Sequence, residues 1–580
     1  MRAIVCSLVL LVALPLTGCG RLGESGEGAQ PAGRGPSVEV FGSAAKIRPD
    51  GAVTGTGRAL LYAARNEFES FQIAINGPLR GLRVAMRAPF VGPDGALIGG
   101  ERVTIYRVDY HDVRRPSDPE GEPGRWPDAL VPTVDPLFLE DRSAFPIAVP
   151  AGENRVAWVD IHVPPDATPG TYRGAIEVRA EGFSASVPLE LVVLDFAMPS
   201  TTTLRAAFGM GDEVCAPLGL DDCRADPWHA ASVRALFVHA ALDNRVGIAR
   251  PHTARITPAT PEGLAGFRDH LLPFLHGTAP TRLEGARLTA FQVNQPWDRN
   301  IAPWEQEASE QGFADRAFVW SCDEPLFFPL WGDPAYNWPF CREALESDAG
   351  AWEAAPRLVT TQLETVEAHG MGELIDLLAV NLEFLHGPED SPWAAGDQRP
   401  LYDRFLARED RPRELWLYSN CASHGCTRND DPYTRGWAGG YQIDGRAARV
   451  RALPWLAFVH RADGLLYYDT VFQLASAWED QHHHDGNGEG TLFYPGTPDR
   501  IGGSTPIPIE SMRLKHLRDG FEDYELLYFL AQNGLEAEAR RIAEDLFPAP
   551  WDTSRTDEEV QAARRELLRL VAAVTGGPSP

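Results

Sequence analysis

Residues 316–325 read RAFVWSCDEP and predict the carboxyl end of a buried β-strand. Two adjacent carboxylates, Asp323 and Glu324, follow the apolar run, and Pro325 ends it. Successive side chains of a regular strand point to opposite faces, so both carboxylates can face one site only where the chain turns. Pro325 favours such a turn. A solvated acidic turn explains the same residues, so both interpretations stay open at this point.

Working outward from this strand, the sequence alternates short apolar runs with helical patterns. The other apolar runs are 204–210, a less well-defined run near 248, 288–293, 357–361, 376–381, 414–419 and 464–468. Helical patterns lie between several of them, for example at 228–244 and 261–275. This alternation predicts a (β/α)8 TIM-type barrel over residues 200–535. Barrel enzymes place their chemistry at the carboxyl ends of the strands, where Asp323 and Glu324 are expected.

The residues before the barrel have a different pattern. Phe71, Ile73 and Ile75 alternate with other residues, as expected for one face of a strand, and β-rich runs follow at 156–163, 171–178 and 187–194. No long amphipathic helix interrupts this stretch, which predicts a β-sandwich over residues 37–199. Residues 536–580 are predicted to form a C-terminal helical tail that packs on the rest.

The N-terminus has the features of an export signal. Residues 1–18 contain a short apolar core after Arg2, and Leu16-Thr17-Gly18-Cys19 resembles a bacterial lipobox. We expect lipidation of Cys19, a flexible linker over residues 19–36, and anchoring in the bacterial cell envelope, in the outer membrane or facing the periplasm. Contact with the membrane is expected through this lipid only. An ordinary cleaved secretory signal is the alternative.

Cysteine usage agrees with export. Without Cys6 and Cys19 the chain has six cysteines, an even number typical of disulfide-bonded exported proteins. Six cysteines allow fifteen pairings. Pairing of nearest neighbours gives Cys215–Cys223, Cys322–Cys341 and Cys421–Cys426, with buried free thiols as the alternative.

Charge and composition exclude several classes of protein. The 580 residues include 53 Lys and Arg against 81 Asp and Glu, a net charge of −28, which argues against a nucleic-acid-binding protein. Hydrophobic residues make up 44% of the chain, as in globular proteins. Consecutive histidines rarely ligate one ion, so His482-His483-His484 is interpreted as a solvated loop. Residues 485–490 resemble the opening of a calcium loop, but Gly496 stands where the last ligand should be. We therefore expect no metal and no cofactor.

Several segments share the pattern of one enzyme family. Besides Asp323-Glu324-Pro325, they are 65–72, 380–383, 416–420, 464–468, 490–496 and 511–525. On these segments the sequence resembles glycoside hydrolase family 123 over roughly residues 40–535. The segment 511–525 is the most specific part of the resemblance.

The resemblance implies an exo-acting β-N-acetylgalactosaminidase with substrate-assisted retention. In such a reaction the 2-acetamido oxygen of the sugar itself attacks the anomeric carbon. By similarity, Glu324 would act as the general acid and then as the general base. Asp323 would orient the acetamido group and stabilise the oxazolinium-like intermediate. Two close carboxylates push their pKa values apart, which supports this division of roles.

The run 414–419 supports the same mechanism independently. Many retaining barrel glycosidases have a carboxylate nucleophile after strand seven, but here Tyr418-Ser419-Asn420 follows, with no carboxylate before Asp430. The residue that would overturn this interpretation is Glu383, which we expect to contact a substrate hydroxyl or to accept a structural hydrogen bond.

Further substrate contacts are expected from side chains at strand ends and from aromatic residues. They are Asn381, Tyr418, Asn420, Tyr468 and Tyr494, although packing in the core explains Tyr418 equally well and is the more frequent role of residues such as Tyr468 and Tyr494. Charged residues at 513–523 lie on a predicted helix, where Lys515/Asp519 and Arg518/Glu522 are spaced for intrahelical ion pairs.

Two alternative functions remain at this point. The barrel could act on a different sugar, since fold does not determine specificity. The protein could also be a surface lipoprotein that binds glycans without catalysis, although the intact carboxylate pair argues against this.

Overall fold

The computed structural model describes most of the chain after the N-terminal segment. The described residues are 35–51, 53–117, 120–220, 223–296, 300–325, 337–408, 411–419 and 437–578. The predictions for Cys19, Asn420, Cys421 and Cys426 lie outside these ranges. The described residues from 35 onward pack as a single unit. Among them, no helix combines the length and apolar character that a bilayer span requires.

The described residues between 35 and 199 form two sheets of twelve strands. They are β1 Ser37–Gly42, β2 Ala59–Arg65, β3 Phe68–Asn76, β4 Leu79–Met86, β5 Phe90–Val91, β6 Leu97–Ile98, β7 Val103–Val113, β8 Gly124–Pro132, β9 Ile147–Val149, β10 Asn154–His162, β11 Gly170–Ala180 and β12 Phe183–Ala197. One sheet has the order β1-β3-β10-β7-β8 and the other contains β2-β12-β11-β4-β9 with β5 and β6. Phe71, Ile73 and Ile75 are buried with side chains of the second sheet, such as Ile176 and Leu191, in one shared core. The two sheets therefore form a β-sandwich.

The residues after the sandwich contain parallel strands in a nearly closed barrel. The strands are β13 Arg205–Phe208, β14 Phe291–Gln292, β15 Ala317–Asp323, β16 Arg357–Thr360, β17 Leu377–Asn381, then the hairpin β18 His386–Gly387 and β19 Gly396–Asp397 outside the barrel, and β20 Glu414–Tyr418 and β21 Gly464–Tyr467. Their order in the barrel sheet is β13-β21-β20-β17-β16-β15-β14.

The predicted strand near 248 fills the gap between the edge strands. Ala249 N–H donates to Phe208 O at 2.9 Å, and Gln292 N–H donates to Ala249 O at 2.7 Å. Residues 247–249 thus lie between β13 and β14, as the strand order of the sequence predicts. Their contact is a single bridge at Ile248 and not a full strand.

Short hairpins and helices complete the structure. The remaining strands are β22 His482–His483, β23 Gly486–Asn487, β24 Phe493–Gly496 and β25 Ile507–Glu510. The described helices are α1 Pro227–Asp243, α2 Pro261–Gly266, α3 Leu272–His276, α4 Ala302–Gln311, α5 Trp338–Ala351, α6 Leu363–Ala368, α7 Leu382–Leu385, α8 Arg399–Leu406, α9 Ala447–Val459, α10 Pro498–Ile501, α11 Met512–Leu530, α12 Glu536–Leu546 and α13 Asp557–Thr575. The last two agree with the predicted helical tail.

The inside of the barrel is a packed core. Phe318, Trp320, Leu358 and Trp416 are buried there together with alanines of the neighbouring strands. The rings of Phe318 and Trp416 meet edge to face with centroids 5.1 Å apart. These side chains close the barrel, so any site must lie at an open end.

Helix α11 connects the barrel to the sandwich through buried ion pairs. Arg513 binds Asp128 of β8 through two nitrogens, at 2.9 and 2.7 Å. Arg518 Nη1 lies 2.9 Å from Asp160 of β10. Lys515 lies 3.3 Å from Asp160 and 2.8 Å from Glu510.

These contacts correct the prediction of intrahelical pairing on this helix. Glu522 pairs with Arg245 and not with Arg518. An i,i+4 pair is the expected contact only where a helix face meets solvent, whereas α11 is buried along almost its whole length. Oppositely charged groups of the surrounding elements replace the intrahelical partners.

Two of the three expected disulfides are confirmed. Cys215 is bonded to Cys223, and Cys322 is bonded to Cys341. The second bond ties the end of β15 to helix α5.

Candidate active site

A bulge in β15 turns Asp323 into the barrel mouth. Trp320 is opposite Leu358, but Cys322 is opposite Val359 and Asp323 is opposite Thr360, so β15 has one extra residue. A bulge of this kind re-aims the side chains that follow it. Trp320 belongs to the inner core, whereas Cys322 packs in the outer cluster and bonds to Cys341. Without the bulge, strict alternation would place Cys322 inside and Asp323 outside.

Glu324 reaches the same mouth through a left-handed backbone conformation. Its φ of +38° lies in a region that side-chain-bearing residues rarely adopt. The backbone N–H of Glu324 donates to the carbonyl of Thr360 at 3.1 Å and to its hydroxyl at 2.9 Å. Strain of about 1–3 kcal/mol at such a residue is typical of functional sites. The bulge and this turn together place two adjacent carboxylates on one face.

The hydrogen-bonding environment of Asp323 contains neutral groups. The Thr360 hydroxyl donates to Asp323 Oδ1 at 2.7 Å. Burial raises the pKa of Asp323 to about 6, and the Thr360 hydrogen bond opposes this rise. Among the causes of this pKa shift there is no positively charged side chain. Asp323 is therefore ionised at pH 7 but accepts a proton in mildly acidic solution.

Tyr418 at the end of β20 holds the second carboxylate. Its hydroxyl donates to Glu324 Oε1 at 2.5 Å, and both side chains are buried. Burial and the nearby charges of Glu324, Asp323 and Glu383 raise the pKa of Tyr418 well above its ordinary value. Tyr418 thus stays protonated and remains a donor.

Glu383 and Asn381 approach this group from the neighbouring strand β17. Asn381 ends the strand and its side-chain oxygen accepts from Glu383 N–H at 3.4 Å, which starts the short helix α7. Glu383 is 1% exposed and close enough to Tyr418 to affect its pKa. The structure therefore gathers Asp323, Glu324, Asn381, Glu383 and Tyr418 at one end of the barrel.

Two polar residues of this region were not predicted from the sequence. Thr360 contacts both members of the carboxylate pair. Asn294, after β14, accepts from Trp320 N–H at 2.9 Å and donates to Trp320 O at 3.3 Å, directly before the bulge. Both lie at or just after the ends of predicted strands, the positions at which a search of the sequence for uncharged polar side chains would have found them.

The structure places Tyr494 at the sandwich and Tyr468 at the end of a barrel strand. Tyr494 is 1% exposed, and its hydroxyl donates to Asp128 of the sandwich at 2.6 Å, so it is a packing residue between sandwich and barrel. This contact does not fit the expected role of Tyr494 in substrate binding. Tyr468 follows β21, and burial with the charges of Glu489 and Asp469 raises its pKa. Tyr468 directly follows β21, which is paired in parallel with β20 in the barrel sheet.

Comparison with known proteins identifies the fold. No protein-family model and no curated protein matches the sequence. Among solved structures, the chain is similar to a family 123 glycoside hydrolase from Clostridium perfringens, studied for the hydrolysis of glycolipid glycans. The TM-score is 0.64 at 12% identity, over 94% of this chain and 99% of the other. At this identity the likeness shows a shared fold.

Other solved structures match more loosely. A calcium-binding mutant of β-glucuronidase 2 from Bacteroides uniformis is 12% identical, over 80% of this chain and 48% of that one, with a TM-score of 0.26. A β-glucuronidase from Dictyoglomus thermophilum is 8% identical, over 82% and 73%, also with a TM-score of 0.26. Scores this low carry no argument about this chain.

Proposed function

We propose that this protein is an exo-acting glycoside hydrolase that removes β-linked N-acetylgalactosamine by substrate-assisted retaining catalysis. The observation that carries the proposal is the pair Asp323 and Glu324, which a bulge and a left-handed residue turn toward the same end of the barrel. The fold shared with a family 123 glycoside hydrolase supports it.

The proposal takes the barrel as a (β/α)8 barrel with residues 247–249 as its second strand. The carboxylate pair then follows strand four and Tyr418 ends strand seven, at the end of the barrel where such enzymes carry out their chemistry. Residues 37–199 form the sandwich domain of this proposal, 200–535 the catalytic domain and 536–580 the helical tail.

Glu324 is assigned as general acid and base. As the acetamido oxygen of the sugar attacks the anomeric carbon, the glycosidic oxygen takes a proton from Glu324 and leaves. Glu324 then removes a proton from water, which attacks the same carbon and opens the cyclic intermediate. Two displacements at one carbon retain its configuration. The Tyr418 hydroxyl holds Glu324 in the orientation that both steps need.

Asp323 is assigned to the acetamido group. Thr360 occupies Oδ1 of Asp323, which leaves Oδ2 to accept from the acetamido N–H. Positive charge develops on that nitrogen as the ring closes, so an ionised Asp323 stabilises the transition state more than the ground state. Burial makes this interaction strong, because little water screens it.

Glu383 and Asn381 are assigned to substrate hydroxyls. They lie on β17 and α7, beside Tyr418. A nucleophilic role for Glu383 would give the same stereochemistry through a covalent intermediate, so trapping experiments must separate the two mechanisms.

The decisive experiment compares three aryl glycosides with the purified protein. We expect hydrolysis of the β-N-acetylgalactosaminide, much slower reaction of the β-N-acetylglucosaminide, and none of the β-galactoside, which lacks the attacking acetamido group. Equal rates on the galactoside and the galactosaminide would contradict substrate assistance. Binding of the galactosaminide without turnover would favour a glycan-binding protein.

Anchoring through Cys19 is a separate proposal. The lipobox-like Leu16-Thr17-Gly18-Cys19 follows a short apolar core, which supports a lipid anchor in the bacterial cell envelope. Detergent partitioning of the wild type should be lost in Cys19→Ser. Unchanged membrane association of that variant would contradict the lipid anchor and leave the proposed catalysis unaffected.

A further inference from the structure

Three potential metal ligands converge beside the loop that carries Glu383. His386 and Asp397 are directly opposite each other in the hairpin of β18 and β19, and His460 follows the end of helix α9. One ligand atom from each of these side chains lies within 4.8 Å of the other two. In the described part of the chain, no other group of three His, Cys, Asp or Glu side chains meets this criterion. The histidine run 482–484 forms no such group.

The hydrogen bonds of this group are incomplete. His386 Nδ1 and His460 Nε2 are buried and have no hydrogen-bond partner among the described residues. His460 Nδ1 is 3.9 Å from Asp397 Oδ1, which is too long for a hydrogen bond. His460 is only 3% exposed, so water does not readily replace the missing partners. Unsatisfied buried polar atoms cost free energy and are rare in folded proteins.

We propose that His386, Asp397 and His460 bind a divalent transition-metal ion, Zn²⁺ or one of similar chemistry, with water as the further ligand. Imidazole nitrogen and carboxylate oxygen are the ligands that such ions prefer. Around a tetrahedral Zn²⁺ with bonds of about 2.1 Å, neighbouring ligand atoms lie about 3.4 Å apart. The ligand atoms, which lie within 4.8 Å of one another, must therefore move closer together, by up to about 1.4 Å, to close on an ion.

The surrounding charges allow binding but limit its strength. Imidazole coordinates a metal ion through a deprotonated ring nitrogen, and one nitrogen of each of the two histidines has no hydrogen-bond partner among the described residues. The positive charges of Arg399 and Arg540 act on His460 and weaken the attraction for a cation. Asp397 is half-exposed in its side chain and opens the site to solvent, which provides a route of entry.

A bound ion would stabilise the loop next to the carboxylate pair. Helix α7, Leu382–Leu385, begins directly after β17 and ends immediately before His386. Glu383 lies in this helix, so an ion would tie its loop to helix α9 through His460. The inference goes beyond the proposed hydrolase activity and does not depend on it.

The test is the binding of Zn²⁺ to purified protein that has first been stripped with a chelator. Calorimetry should give one strong site per chain, and Zn²⁺ should raise the midpoint of thermal unfolding. Asp397→Asn should weaken binding at least about tenfold and abolish the thermal shift. This variant keeps the side-chain oxygen that accepts from Arg399 N–H at 2.9 Å, so the hairpin should fold.

The matched control is His483→Ala, which alters the other cluster of histidines. It should bind Zn²⁺ as the wild type does. His460→Gln gives a second, independent removal of a ligand. The proposal is overturned if the wild type takes up no Zn²⁺, if Asp397→Asn and His460→Gln bind it normally, or if His483→Ala alone loses it. None of these outcomes bears on the hydrolase assays, which need no added metal in the proposed mechanism.

Discussion

Carboxylates at the interface between sandwich and barrel have positively charged partners, whereas Asp323 at the barrel mouth has a neutral hydrogen-bond donor. Burial alone raises the pKa of Asp128 and Asp160, but Arg513 and the pair Arg518 and Lys515 more than offset it, so both values lie below the ordinary range. Asp323 is partly buried, but its hydrogen-bond donor is the neutral Thr360, and desolvation raises its pKa to about 6. Opposite charges therefore stabilise the interface, whereas the barrel mouth retains a carboxylate without compensation.

The difference separates structural charges from reactive ones. A paired carboxylate is held in one ionisation state over the whole useful pH range. A carboxylate facing neutral groups remains able to exchange a proton or to attract a developing positive charge. If this distinction is correct, substitutions in the two regions should affect different measurements.

The largest effect is expected for Glu324→Gln at the barrel mouth. Loss of the general acid should lower kcat by about 10²–10⁴-fold on substrates with poor leaving groups, and less on activated aryl glycosides. Steady-state rates across a series of leaving groups measure this dependence. A uniform loss across the series would show that Glu324 is not the proton donor.

At the interface, Arg513→Met should lower stability and leave catalysis intact. The substitution leaves the buried Asp128 without its partner Arg513, which should lower the free energy of unfolding by about 3–5 kcal/mol. Urea unfolding measures the loss, and kcat of the folded fraction should stay within about twofold of the wild type. The control is Arg115→Met, whose pair with Asp485 is exposed, with an expected cost under about 1 kcal/mol.

In contrast to Arg513→Met, Asp323→Asn should lower activity and raise stability. Activity should fall about 10²–10³-fold whatever the leaving group, because the charge facing the acetamido nitrogen is lost. Stability at pH 7 should rise by about 1–3 kcal/mol, because the fold no longer buries an ionised group whose pKa it raises. A thiazoline mimic of the cyclic intermediate should inhibit this variant far less than the wild type.

The comparison is sharpened by Asp128→Asn, which should destabilise the protein because it breaks the pair with Arg513. If both asparagine variants changed the unfolding free energy in the same direction, the distinction between the two carboxylates would be wrong.

Proton NMR of the first sugar released should show a retained β-anomer. A covalent adduct on Glu383 would replace substrate assistance with a protein nucleophile.

A smaller effect is expected for Tyr418→Phe. Loss of one hydrogen bond to a buried carboxylate should lower kcat about tenfold. Tyr494→Phe is the matched control, because its hydroxyl also donates to a buried carboxylate, at 2.6 Å. This control should lower the midpoint of unfolding without lowering kcat.

The smallest expected effect is the fall of kcat/KM of the wild type in mildly acidic solution. If Asp323 must be ionised, kcat/KM should fall as the pH drops through about 6, because protonation then removes the charge. An ordinary aspartate would place this fall near pH 4. In Asp323→Asn the fall near pH 6 should be missing.

Much of the architecture followed from local pattern. The strands predicted at 357–361, 376–381, 414–419 and 464–468 agree with β16, β17, β20 and β21 within a residue or two. An apolar run of this length, bounded by turn residues, favours a buried strand. When such strands alternate with helices, only a few chain topologies are compatible with the sequence. The roles of the tyrosines did not follow from local pattern. Tyr418 and Tyr494 look alike in sequence, and only long-range packing places one at the barrel mouth and the other between barrel and sandwich.

The sequence by itself determined where the carboxylate pair lies along the chain and which strand carries it. Only the tertiary structure decided that both carboxylates face the same way. A period of two residues predicts opposite faces, and the sequence suggested that Pro325 breaks it. The structure breaks it earlier, with a bulge between Trp320 and Cys322 and a left-handed Glu324. Both features depend on the partner strand, since Thr360 receives the Glu324 N–H and binds Asp323 from 36 residues away or more. A pattern along one strand contains no information about such a partner, because the hydrogen bonds that stabilise the irregular backbone come from another part of the chain.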